Sequence, residues 1–457
     1  MHLTSPVISP ALRGAIDEQL AGQAPPIAIP VIFSLKISPE NPREGVQATK
    51  AALRRLIERT VEGRYDPSVG ESDFYLFARL APEHILRLAV RRDLIDVVWL
   101  DHTCKAHLLS SVETVKASPC WRMFEAQGKD ITWAVLDTGI KADHPHFGRF
   151  TNVLTNLSMS FVIGEPGYDD LNGHGTHVAG IIAGYAPAKP DGSSYQAARY
   201  KEDPDVPVIE NLPEIPSGVA PQTKLIAVKV LDKDANGQAS TAIQGLEYVR
   251  KLNATSRDTR VDGANLSLGY PLEQQSYGCG HSPLCEEVNR AVRSGLNVVI
   301  SCGNNGFGIA NVDVAGETRR VGMGFALSIS DPANAEMCIA VGSVHKSAPH
   351  KYGVSYFSSK GPTGDGRIKP DLVAPGEKIV SCSLQVGSHE YEERSGTSMA
   401  APHVSGAIAV FLSLHPEFRG NPEEVKRILL STAMDLGRDG TFQGRGLVDL
   451  LKAVMAV

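Results

Sequence analysis

The chain has 457 residues, 42% hydrophobic and 21% charged, enough for a sizeable soluble core and two or three domains. A formal net charge of -6 and a pI near 6.2 leave no basic patch of the kind nucleic-acid binders need, so nucleic acid is not an expected partner. No apolar run has signal-peptide character or spans a membrane, so a cytoplasmic protein is expected, unless export uses a signal outside this sequence.

Residues 1–25 are rich in Pro, Gly and Ala without strong periodicity and are expected to be loose. From 26 to 108 the pattern reads strand, helix, strand, helix, strand. IAIPVIFSLKI, FYLFARL and IDVVWLDH are the strands; VQATKAALRRLIERTVE is an amphipathic helix, and PEHILRLAVRRDLI is a helix opened by Pro82. This predicts a small α+β unit, ferredoxin-like in element order, with both helices on one face of a sheet.

From 109 to 457 short β-branched runs alternate with helices. ITWAVLD, KLIAVKVLD, GANLSLG, LNVVISCG and MCIAVGSV are the candidate strands; HVAGIIAGY, STAIQGLEYVRKL, CEEVNRAVRSG and MAAPHVSGAIAVFLSL are the helices. Continuous apolar strands alternating with helices predict an α/β fold, a mostly parallel sheet covered on both faces. Functional groups then gather at the carboxyl ends of the strands. Residues 185–217, rich in Pro, Asp and Glu, read as a long surface insertion, and 305–332 as a second loop.

Seven cysteines, an odd number over a long chain, do not make a disulfide framework. Cys279 and Cys285, in YGCGHSPLCEE, leave three readings open: free thiols, a bridge closing a small loop, or a metal site with His281. The last supplies three ligands where a structural zinc takes four.

Asp137 ends a strand in WAVLDTGI, His174 lies between glycines in NGHGTHVAG, and Ser398 opens a helix in SGTSMAAPHVSG. Alone, each is better read as a turn or cap residue. Together they are not. A serine hydroxyl attacks only when a base takes its proton, and the base needs a carboxylate to hold its tautomer. Here all three stand at strand ends or helix starts within glycine-rich backbone. A serine at a helix N-terminus also meets a field that favours developing negative charge.

DTGI (137–140), GHGTHVAG (173–180) and GTSMAAPHVSG (396–406) resemble the three active-site signatures of the subtilisin-like serine peptidases, the subtilases. SCGNNG (301–306) resembles the family's oxyanion segment, and FSSKGPTGDGRIKPDLVAPG (357–376) the stretch before the nucleophile. The resemblance covers about 110–457. It implies a serine endopeptidase working through an acyl-enzyme, with Asp137, His174 and Ser398 as triad and Asn304 as oxyanion donor. It also implies substrate-pairing walls from Ser267, Leu268 and Gly269 and from Ser301, Cys302 and Gly303, binding an extended peptide by strand addition. A cysteine at 302 departs from the small apolar residues usual there, and packing is its expected role. LDKDANGQAS (231–240) matches the opposite rim, where Ala239 leaves a distal pocket open.

The family's usual calcium site is not matched. One ligand position falls on His146, the loop before Gly218 is replaced by the insertion, and imidazole suits a hard cation poorly. No cofactor is expected; a structural calcium held elsewhere, by Asp and Glu of the 185–217 insertion, is the other reading. The 26–108 unit is similar in element order to the family's propeptides. It implies an autoinhibited, self-processing precursor, with the N-terminal unit as intramolecular inhibitor and a first cut between about Thr103 and Ser111; a permanent accessory domain is the other reading. Protein or peptide substrates are the expected partners, and no membrane. The alternative from another class is a catalytically silent binding or regulatory protein on the same fold. An α/β hydrolase is excluded by the order of the three residues and by the missing G-x-S-x-G around Ser398.

Overall fold

The computed structural model describes residues 7–21, 27–36, 42–61, 72, 74–101, 110–201, 206–255, 260–271, 278–314, 317–385 and 388–457. The chain divides into two compact units, Met1–Ala106 and His107–Val457.

The first unit runs α1 (Pro10–Ala21), β1 (Ile29–Leu35), α2 (Pro42–Thr60), β2 (Tyr75–Leu80), α3 (Pro82–Leu88) and β3 (Ile95–Leu100). Its three strands pair antiparallel in the order β2-β1-β3. Alternate residues of β1 (Ile29, Val31, Phe33, Leu35) enter one core, as a half-covered sheet requires. For residues 7–21, the described part of the 1–25 segment, the expectation of looseness needs correcting. Leu12 and Ile16, one turn apart on α1, are fully buried in that core, and Ser9 pairs its backbone N–H with the Val98 carbonyl at 3.0 Å. Two such side chains contribute about 1.5–3 kcal/mol each, enough to hold a helix that propensity alone would not.

After two short helices (Ser110–Thr114 and Ala117–Phe124), the second unit runs through β4 (Thr132–Asp137), β5 (Met159–Ser160), α4 (His174–Ile182), β6 (Gln196–Arg199), β7 (Val208–Asn211) and β8 (Lys224–Lys229). There follow α5 (Ala239–Thr255), β9 (Gly263–Leu266), α6 (Pro283–Arg293), β10 (Asn297–Ser301), β11 (Phe307–Val314) and β12 (Glu317–Gly324). Then come β13 (Ile339–His345), β14 (Leu372–Glu377), β15 (Ile379–Cys382), β16 (Tyr391–Arg394), α7 (Thr397–Leu414) and α8 (Pro422–Thr432).

Seven strands form a parallel sheet in the order β14-β13-β10-β9-β4-β8-β5. All six residues of β4 are buried. Trp133 and Val135 join the core under α4 and α7, whereas Ala134 and Leu136 join the core under α5 and α6. A strand covered on both faces is apolar through its middle, which explains the unbroken run WAVL. The chain passes from β4 to β8 on one side, then crosses back to β9, so strand order reverses around β4. That reversal opens a crevice at the carboxyl ends of β4 and β9.

The helix α7 is the one described helix long and apolar enough to cross a membrane, yet 83% of it is buried in the core of the second unit. β14 contains Pro375 and lies at the sheet edge, where a missing N–H is tolerated.

Both expected loops carry strands. Within 185–217, β6 and β7 form an antiparallel hairpin, and β6 lies parallel to β16, extending a four-stranded sheet β15-β16-β6-β7. Tyr195, Ala197 and Leu212 are buried, with the Tyr195 ring 5.6 Å from that of Tyr391. Sequence polarity concealed this because few apolar residues suffice when a sheet edge already waits to be paired. Residues 202–205 lie outside the described part. Within 305–332, β11 and β12 pair antiparallel, Phe307 opposite Gly324.

Candidate active site

Asp137 ends β4 wholly buried. Its Oδ1 lies 2.7 Å from His174 Nδ1 and accepts the Thr138 N–H at 2.8 Å. His174 is the first residue of α4, reached through Gly173 at φ 101°. The helix can come this close because its next residue is Gly175. A Cβ there would stand 2.2 Å from the Gly139 carbonyl oxygen and 3.1 Å from Asp137 Cβ. Burial alone would lower the His174 pKa. The adjacent Asp137 charge and its hydrogen bond outweigh burial, so the pKa is raised above 6.5. The imidazole is thereby a stronger base.

A second carboxylate, not singled out from the sequence, frames the pair. Asp170 accepts from Thr138 Oγ1 at 2.8 Å, Thr176 Oγ1 at 2.6 Å and the backbone N–H groups of Asn172, Gly173 and Thr176 at 2.8–2.9 Å. It ties the residue after Asp137 to the first turn of α4 and so fixes the imidazole's approach.

Ser398 is the second residue of α7. Its hydroxyl donates to the Ser267 carbonyl at 3.3 Å, and the Ser267 hydroxyl donates to the Ser398 carbonyl at 2.8 Å. Behind them Asn265 Nδ2 donates to Ser267 Oγ, and Ser405 Oγ donates to Asn265 Oδ1, both at 2.9 Å. This buried relay fixes the start of α7 against the end of β9. Its one sequence signal is a polar Asn inside the apolar strand GANL.

Asn304 follows β10. Its Oδ1 accepts from the Thr397 N–H at 2.9 Å and from Thr397 Oγ1 at 3.0 Å. With the carbonyl end held there, the amide's NH₂ end is the one left to donate into the cavity that Asn304 lines. Thr397 Oγ1 also accepts the Gly303 N–H at 3.2 Å, so one threonine sets both the amide and the adjoining wall.

One cavity of about 460 Å³ collects these groups. His174, Ser398, Asn304, Ser267, Leu268, Gly269, Ser301 and Gly303 line it, as do Leu231 and Ala235–Ala239 of the opposite rim. Asp137 stands behind His174. Cys302 does not line the cavity: it is fully buried, with Sγ 3.5 Å from the Ser359 carbonyl and 3.7 Å from Ser358 Oγ. Strand alternation turns it away from neighbours that face the opening. Burial pushes its thiol up to about 12. The slot ends on Ser330: a Cβ on Gly269 or Gly303 would come within 3.2 Å of Ser330 Cβ, and Asn305 Nδ2 donates to its hydroxyl at 3.0 Å.

His146 is buried. Its Nε2 lies 3.1 Å from the carbonyls of Gly180 and Ala183, and its Nδ1 is 3.1 Å from Tyr391 Oη. Carbonyls only accept, so Nε2 carries the proton and Nδ1 accepts from tyrosine. Burial, then the neighbouring His144, lowers its pKa to about 3. Among the described residues, no cluster of three or more His, Cys, Asp or Glu could hold a metal ion. Cys285 is a buried free thiol, 3.6 Å from the Pro332 carbonyl, so the bridge to Cys279 is not formed.

A parallel sheet with a carboxylate–imidazole pair at one strand end, facing a helix-start serine and an amide donor, is the framework of a serine peptidase. The subtilase family pattern matches residues 128–447, and the chain belongs to that family. It is 31% identical to serine protease AprX of Bacillus subtilis (strain 168), over 82% of this chain and 78% of the relative. It is also 31% identical to subtilisin DY of Bacillus licheniformis, over 71% and 90% respectively. With the major intracellular serine protease of Bacillus subtilis (strain 168) it shares 31% identity over 75% and 88%. The chain is therefore a subtilase, a peptide-bond hydrolase of the serine endopeptidase class acting on protein or peptide substrates.

Proposed function

We propose that Ser398 is the nucleophile of this endopeptidase, His174 its general base and Asp137 the group that orients and charges the base. On substrate binding the Ser398 hydroxyl turns from the Ser267 carbonyl towards His174 Nε2, a rearrangement ordinary for an unliganded site. Its oxygen attacks the scissile carbonyl while its proton passes to Nε2. The resulting oxyanion is held by Asn304 Nδ2 and the Ser398 backbone N–H. Collapse breaks the C–N bond as His174 returns the proton to the departing amine; water then repeats the sequence on the acyl-enzyme. The segments 267–269 and 301–303 hold the acyl side of the peptide as an added strand. The observation that carries this reading is the 2.7 Å Asp137–His174 contact opening into the same cavity as Ser398 and Asn304.

The N-terminal unit, 26–108, acts in this reading as an intramolecular inhibitor and folding aid, released by a self-cut between about Thr103 and Ser111. Most of that segment, 103–109, lies outside the described residues. No calcium is required at the His146 position, because a buried, neutral, hydrogen-bonded imidazole fills it.

A fluorophosphonate probe tests the core of the reading. It labels the wild type and not Ser398→Ala; equal labelling of both, or none in the wild type, excludes Ser398 as nucleophile. N-terminal analysis of both proteins tests processing: the wild type starts between residues 104 and 111, whereas Ser398→Ala keeps its original N-terminus.

A further inference from the structure

Asn304 lines two cavities. The larger one, already described, takes the acyl side of the scissile bond. The second, of about 400 Å³, shares Asn304 with the first and none of its other lining residues; it is bounded by Tyr356, Phe357, Glu377, Lys378 and Ser395. Because Asn304 lines both, the second is placed to receive the residues beyond the scissile bond.

Its outer wall is extended by the β11–β12 hairpin, which begins at Phe307, three residues after Asn304. The Phe307 ring meets the Tyr356 ring edge-on at 5.7 Å, and Tyr356 meets Phe357 at 5.3 Å. The hairpin base is firmly held. Lys360 Nζ donates to the carbonyls of Gly306 (2.9 Å) and Tyr356 (3.2 Å), and the Gly306 N–H donates to the Phe357 carbonyl at 2.9 Å. Gly306 allows this contact, because a Cβ there would lie 1.9 Å from the Ser358 carbonyl oxygen. The Phe307 ring leans diagonally over Gly322, where a Cβ would come 2.7 Å from the ring. On the same face Ile309 is 61% exposed, Phe307 is 43% exposed and the neighbouring Tyr356 is 68% exposed. An apolar ridge of this size left open beside a catalytic cleft marks a binding surface. The opposite charges of Glu377 and Lys378 offset each other, leaving the rings to discriminate.

We propose that Phe307, Ile309 and Tyr356 form a leaving-group-side subsite that selects apolar or aromatic residues two to three positions after the scissile bond. The occupant is substrate polypeptide, and the proposal rests on the peptidase reading above. It follows that substrate choice depends on sequence beyond the bond as well as on the primary pocket.

The test uses the full chain and quenched peptides identical up to the scissile bond, carrying Phe or Asp at the second and third positions after it. A p-nitroanilide of the same acyl part, with no residue after the bond, is the reference. The wild type is expected to prefer the Phe peptide by about tenfold in kcat/KM, the worth of one buried apolar contact. In Phe307→Ser and Tyr356→Ser, the Phe-peptide-to-anilide ratio of kcat/KM falls towards that of the Asp peptide. Interception of the acyl-enzyme by Gly-Phe amide against Gly-Asp amide gives a second reading in the wild type alone, independent of how the variants fold. A Phe-to-Asp ratio near one together with equal interception overturns the proposal, as does an unchanged ratio in folded variants. Absence of anilide hydrolysis would instead strike at the peptidase reading.

Discussion

Lowering the pH should loosen the peptidase unit through His146, and the size of the effect follows from its surroundings. The buried ring is neutral, with Nε2–H on two carbonyls and Nδ1 accepting from Tyr391, and its pKa falls from 6.5 to about 3. In the unfolded chain the ring regains its ordinary pKa and binds a proton that the folded state refuses. Its contribution is therefore complete above pH 6.5 and is lost as the pH falls towards 3. At pH 5, one and a half units below 6.5, linkage gives a loss of about 2 kcal/mol. His403, buried and lowered to about 4, loses a similar amount over the same interval. Together that is about 4 kcal/mol from a total stability of roughly 5–15 kcal/mol. The assay is urea unfolding of the full chain carrying Ser398→Ala, which prevents self-digestion, followed at pH 7 and pH 5 by the fluorescence of buried Trp133. Adding His146→Gln keeps a donor for the Gly180 and Ala183 carbonyls and removes the titration. That variant should lose about 2 kcal/mol less between the two pH values. An identical loss in both proteins would refute the assignment of the acid sensitivity to this ring.

Asn304→Ala should lower turnover on the order of 10²–10³-fold with little change in KM, and Thr397→Val should reproduce part of that loss by releasing the Asn304 amide; initial-rate kinetics on an anilide substrate separates the two effects. Because the Asp137 charge raises the His174 pKa, the acid limb of kcat/KM should have its midpoint above pH 6.5, and a midpoint at or below 6.5 would contradict that coupling. Cys302, buried beside Ser358 and Ser359, should resist thiol reagents in the native protein and react only on unfolding; mass spectrometry of the alkylated chain checks this. A chain beginning at Ser110 should refold in lower yield than the full chain, and equal yield and activity for the two would remove the folding role of the N-terminal unit.

Much of the site is legible in the order and type of the residues. Asp137, His174, Ser398 and Asn304 lie in local sequences whose glycines and flanking strands have few other uses, and the apolar runs around them specify a doubly covered parallel sheet. Other features depend on groups distant in the chain. Asp170 matters because folding sets it between Thr138 and Thr176, and Thr397 because β10 delivers Asn304 to it. The helix at Pro10–Ala21 has a weak pattern of its own and forms because β3 and α3 offer a surface for Leu12 and Ile16. Cys302 follows the strand's alternation into the core, whatever its neighbours in sequence do. Residue type alone was enough to single out the groups proposed to carry the chemistry. Only the tertiary structure decided how they are held, because hydrogen bonds between residues far apart in the chain, such as Asn304 with Thr397 and Ser267 with Ser398, leave no local pattern.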